Sequence, residues 1–157
     1  MPGITLARIL VPIDFSDTSA AALKYAIALA DTFGARLHLL HVLDSAVEQR
    51  WEVPMSMVAH REIEAEAVQR SNAELAQLLT RPEREQYRAA LVTDRGSPPA
   101  AIVDYARRED IDLIVMGTHG RGPVAHLLIG SVAENVVRAA PCPVLTVPLK
   151  GHDFVTL

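Results

Sequence analysis

The chain contains a single cysteine, Cys142, so it can form no internal disulfide and offers no Cys-based metal spacing. A reducing, cytoplasmic compartment is the expectation. No apolar run approaches the roughly 20 residues needed to cross a bilayer, and no membrane span is expected. The opening MPGITLARILVPID lacks a basic stretch followed by a long apolar one and a cleavage site, so no secretory leader is expected there. Positive charge is not in excess: 15 Lys and Arg stand against 19 Asp and Glu, for a net charge of −4. A sequence-independent nucleic-acid binder needs a dense basic face, and that class drops out. Internal repeats, linkers and low-complexity tracts are missing too.

What is present is the material of one folded domain. Its 157 residues are long enough to bury most of their apolar surface, and 50% are hydrophobic against 22% charged. We expect a single domain over 1–157, with a core of about residues 8–148 and a short C-terminal tail. Short runs apolar throughout alternate with amphipathic stretches. The segment Arg8 to Asp14 opens as a strand covered on both faces. Phe15-Ser16-Asp17 supplies capping chemistry for an Ala-rich helix to Phe33, with Leu23, Ile27 and Ala30 on one stripe and Gly34 as its stop.

A second strand runs Leu37 to Leu43. Residues 44–55 show no period and read as a mobile connection, and a long polar-amphipathic helix over about 56–79 is ended by Arg81-Pro82. Leu75, Leu78 and Leu79 of that helix, like Trp51 before it, read as core or lid contacts. Tyr87 to Asp94 is the third strand, closed by Arg95-Gly96. Ser97 caps a helix with Pro98 at its first position and Ile102, Val103 and Ala106 inward. Asp112 to Met116 is the fourth strand. A last helix starts at Ser131 and carries Val132, Val136 and Val137; Pro141-Cys142-Pro143 breaks it ahead of the strand Val144 to Val147. This alternation predicts a doubly wound α/β fold, a parallel sheet between helix layers.

Ligands of such sheets bind beyond the carboxyl ends of the strands. The loop that follows the fourth strand is the most informative stretch there. Two residues separate Gly117 from Gly120, nine separate Gly120 from Gly130, and Ser131 follows directly. Glycines permit positive φ and let an anion approach backbone N–H groups, and a helix start at Ser131 favours phosphate. The same residues have a plainer reading: Ser131 to Glu134 is also a capping box that needs no ligand. Asp14 is similarly double. It can serve a ribose hydroxyl or a phosphate-bound metal, or cap the next helix, which Ser16 or Asp17 can do instead.

The G-x2-G-x9-G-S spacing, the strand ending in VPIDFSDTS, the IVMGTHGRG segment and the closing PCPVLTVP together resemble the universal stress protein family, in its ATP-binding branch. The resemblance runs from about Arg8 to Pro148, with the motifs in the family's order. It implies a five-stranded parallel sheet of order 3-2-1-4-5, helices on both faces, and a nucleotide across the switch point. Carried over by residue, it puts Pro12 and Asp14 beside base and ribose and the backbone of Val42 at the adenine edge. Met116 and Gly117 face the ribose and α-phosphate, while Gly120, Gly130, Ser131 and Val132 hold the phosphates. Arg121 adds charge beside them or is a solvated loop residue. The resemblance also implies a homodimer through the last strand, Val144, Leu145, Thr146 and Val147; the alternative is that the tail from Lys150 to Leu157 covers that edge.

A metal site built from protein is not expected. His38 and His41 lie three apart on a strand and face opposite ways, and His119 and His126 have no Cys or Glu cluster around them. Magnesium or manganese would arrive on ATP phosphates. Cys142 follows a helix C-terminus and reads as buried or interface packing rather than a reactive thiol. Function then divides three ways: a regulatory stress-response protein that holds ATP, a slow ATP hydrolase or phosphotransferase, or a dimeric interaction protein indifferent to nucleotide. No G-x4-G-K-[S/T] and no Ser-Gly-Gly loop occurs, and only His119 or Asp14 offers a weak base, so an enzyme is not the expectation and ATPase activity is expected to be weak at most.

Overall fold

The computed structural model of the chain describes residues 3–46, 56–119, 129–150 and 155. Strand β1 (Arg8–Pro12) buries Ile9, Leu10 and Val11 completely, as a strand covered on both faces must. Helix α1 (Asp17–Phe33) starts where the Ser16 hydroxyl accepts from Ser19 N at 3.2 Å and stops at Gly34, whose φ of 66° only glycine adopts cheaply. β2 (Arg36–Asp44) follows, then α2 (Met57–Gln77), α3 (Arg81–Gln86), β3 (Ala90–Gly96), α4 (Pro98–Arg108), β4 (Leu113–Gly117), α5 (Ser131–Ala139) and β5 (Val144–Val147).

The five strands are all parallel in the order β3-β2-β1-β4-β5, with helices on both sides. Leu10 of β1 sits between His38 of β2 and Ile114 of β4, so β1 is the central strand. Alternation along the strands divides the core in two. Ile9, Val11, Leu37 and Leu39 pack with Ala22, Leu23, Ala26 and Ala30 of α1 and with Leu75 of α2. Leu10, Leu40, Ile114 and Met116 face Ile102 and Tyr105 of α4 and Ala133 and Val136 of α5. Each Leu or Ile so enclosed contributes roughly 1.5–3 kcal/mol.

The two histidines of β2 part as their spacing requires. His38 is buried on the α4 side, its Nδ1 2.9 Å from the Tyr105 hydroxyl, while its Nε2 has no partner. Burial holds its pKa below the ordinary imidazole value, with Arg36 and Arg8 adding to the shift and Glu109 opposing it. His41 instead stacks on Phe15, ring centres 4.7 Å apart.

Two expectations need correction. Arg81-Pro82 does not end the long helix; it opens α3, where Thr80 and Glu83 form a reciprocal capping box and proline needs no N–H to donate. Tyr87 lies outside β3: it closes α3, is buried, and donates its hydroxyl to Asp31 at 2.9 Å. The strand starts later, at Ala90, and runs through Arg95-Gly96. Ala133 and Val136 form the buried stripe of α5, and the about 100° step past Val136 leaves Val137 48% exposed. Cys142 is half-buried against the α4–α5 side of the core. Residues 47–55, with Trp51, and His126 lie outside the described residues.

Candidate functional site

The carboxyl ends of β1, β2 and β4 meet the first turns of α1, α4 and α5 around a cleft of about 320 Å³. Eight of the residues expected at a site line it together. Pro12 and Asp14 come from the end of β1, Val42 from β2, and Met116 and Gly117 from β4; Gly130, Ser131 and Val132 come from the start of α5. Gly120 and Arg121 lie outside the described residues.

The turn after β1 is tightly held. Asp14 Oδ1 accepts from Ser16 N at 3.0 Å and from the Ser16 hydroxyl. Ser16 is thus the cap of α1, and Asp14 fixes the cap rather than serving as one. The Ser16 and Thr18 hydroxyls are 2.9 Å apart, and Thr18 donates to the carbonyl of His119 across the cleft floor. Between them Phe15 adopts φ 61°, a left-handed conformation rare for a side chain of its size. Its stacking partner His41 donates from Nδ1 to Ile13 O at 2.7 Å, so both ends of the turn rest on β2.

The glycines act differently from expectation. Neither Gly117 nor Gly130 has positive φ; Gly130 lies at −70°. What each requires is room. A Cβ on Gly117 would stand 2.7 Å from Thr18 Cβ and 2.8 Å from Thr18 C, and one on Gly130 would meet Thr118 O at 2.9 Å. The glycines allow α1 and α5 to close against the end of β4, and this close approach forms the walls of the cleft.

The first turn of α5 bears on the capping reading of Ser131. Its cap is Gly130, with no side-chain hydrogen bond, and Ser131 is already the first helical residue. The capping box does not form, because with Gly130 as the cap Glu134 stands one position too far along the helix; its carboxylate pairs with Arg138 at 2.8 Å. Gly130 N donates to Thr118 O at 2.5 Å and Glu134 N to Gly130 O at 3.0 Å. The amides of Ser131, Val132 and Ala133 come too early in the helix for an intrahelical acceptor, and all three residues line the cleft. Open amides at a helix start are the kind of group that can receive an anion.

Sequence reasoning did not assign Thr18, Ser19, Pro98 or Ile102 to the site, although all four line it. A signal existed: each lies within the first turns of a helix that follows a strand, where this topology gathers side chains at one edge.

The family model described as the universal stress protein family matches residues 5–148. Universal stress protein MJ0531 of Methanocaldococcus jannaschii is 33% identical over 148 residues, 89% of this chain and 81% of that protein. The solved structure of MJ0577 from the same organism has a TM-score of 0.76 at 29% identity, over 95% of this chain and 100% of the other. A universal stress protein solved in complex with cAMP shares the fold at a TM-score of 0.61 and 23% identity, over 94% of this chain and 100% of that one.

Proposed function

The chain belongs to the universal stress protein family, and from that premise we propose that it holds an adenine nucleotide, ATP first among them, as a regulatory stress-response protein. The phosphates rest on the amides of Ser131 and Val132 beside Gly130, with Gly120 and Arg121 completing the loop. The base lies against Pro12 with its edge at the Val42 backbone, and Asp14 serves the ribose beside Met116 and Gly117. The uncapped start of α5 on the cleft wall carries this reading: among the described residues no side chain caps it and its first amides have no partner. The cAMP complex of the more distant relative shows that the fold itself accommodates an adenine nucleotide. Magnesium or manganese is assigned to the phosphates, without a protein cage.

Binding, with at most weak hydrolysis, is preferred to rapid turnover because the groups nearest the phosphates are backbone donors rather than a positioned base. Heat-denaturing protein purified without added nucleotide and analysing the supernatant tests this directly. Recovered ATP is the expected result; ADP or AMP would favour the hydrolase. No nucleotide, together with no thermal shift in millimolar ATP and magnesium, would overturn the reading. We also propose a homodimer through β5, which among the described residues pairs only with β4 and leaves Val144, Leu145 and Thr146 partly exposed at the sheet edge.

A further inference from the structure

Three helix N-termini meet at the cleft, and the sequence treats each differently. α1 is capped from within, by Ser16 backed by Asp14. α5 has no side-chain cap and leaves its first amides open. α4 begins Pro98-Pro99, and proline has no N–H, so its first two donors do not exist; Ser97 ahead of them makes no side-chain cap bond either. Pro98 and Ile102 stand one turn apart on one face of α4, and both line the cleft, Ile102 with 3% exposure. Leu40 and Val42 of β2, the strand against which α4 packs, line the same end. The cleft is therefore apolar where α4 enters and rich in donors where α5 enters.

We propose that the Pro98-Pro99 pair determines which way round a nucleotide lies, by making the α4 end a wall for the purine and leaving α5 the end that takes the phosphates. This rests on the nucleotide reading of the same cleft. Two open helix starts facing one cleft would offer a polyphosphate two seats. Charge-assisted hydrogen bonds are the strong ones, and removing the donors at the first two positions of α4 removes the second seat while its dipole remains. The proline ring adds apolar surface in place of the lost donors.

Titration calorimetry with ATP and with inorganic tripolyphosphate, on the wild type and two variants, tests the proposal. Proline at a first helical position is replaceable without unfolding, and urea midpoints verify that both variants are folded. The wild type should take one equivalent of tripolyphosphate, in competition with ATP. Pro98→Ala should weaken ATP by about fourfold, the worth of one methylene withdrawn from apolar contact, and leave tripolyphosphate no weaker, since it restores one amide at the cleft. Pro98→Ala/Pro99→Ala, which restores both amides, should gain a second tripolyphosphate equivalent. If Pro98→Ala weakens both ligands alike or neither, or if the double variant still takes one equivalent, the proposal is overturned while the nucleotide reading stands. A wild type that binds neither ligand overturns both.

Discussion

Replacing Gly117 by alanine tests the closest seam in the molecule. The added Cβ would lie 2.7 Å from Thr18 Cβ, 2.8 Å from Thr18 C and 2.9 Å from Thr18 Oγ1, where ordinary contact is 3.4–4 Å. Two of those atoms cannot swing aside, since one is backbone and the other is fixed to it in the first turn of α1. Relief requires α1 to move away from β4, which also pulls Thr18 from the carbonyl of His119. Overpacking of this kind costs about 1–3 kcal/mol, or roughly 2–12 °C of Tm for a domain of this length. Urea unfolding should show a lower midpoint at unchanged slope, the mark of altered stability rather than an altered unfolded state. Thr18→Ala in the same background should recover little, because Cβ and the backbone carbon remain. Gly3→Ala, where nothing lies within 4 Å, is the control. A Gly117→Ala midpoint equal to that of the wild type would refute the reasoning. By the same geometry, Gly130→Val strikes Thr118 O and lowers stability before it reports on any ligand.

Two further outcomes follow from the core and the sheet edge. Because burial lowers the pKa of His38, the unfolded chain takes up that proton first as pH falls, so stability holds above about pH 6.5 and declines from there toward the folded value. The unfolding free energy from urea titrations between pH 7.5 and 5 should fall by up to about 1.4 kcal/mol per pH unit more in the wild type than in His38→Gln, and equal slopes would sink the assignment. At micromolar concentration the protein should sediment at twice 17.1 kDa through pairing of β5, and a monomer would reject that interface.

The sheet was legible because its signals are local and redundant. Val144 to Val147 is a run of apolar and β-branched residues between prolines, and β5 spans those same four positions. Arg81-Pro82 misled because proline both ends helices and begins them; only Thr80 and Glu83, which bracket it, distinguish the cases. The site's membership could be read from strand ends, which place Asp14, Val42 and Met116 together whatever the detail. The reason for its glycines could not be read. Whether a glycine serves its own φ or a neighbour's bulk depends on Thr18, 99 positions from Gly117, and no local pattern records that. The state of Ser131 was equally hidden, since S-V-A-E writes a capping box, yet the helix takes Gly130 as its cap, which puts Ser131 at the first helical position and Glu134 one place too far along.

The central place of β1 has a consequence for how the chain is made. Its two neighbours come from opposite halves of the polypeptide, and the junction with β4 brings Arg8 to Asp112, 104 positions away. On a growing chain β1 can meet β2 early, but its other flank stays a bare row of amides and carbonyls until β4 has been synthesised. Closure over such a span is slow, and the waiting flank invites strand addition from another molecule. A polypeptide truncated ahead of Leu113 keeps that hazard permanently, whereas one that loses only β5 gives up a peripheral strand and retains a closed centre.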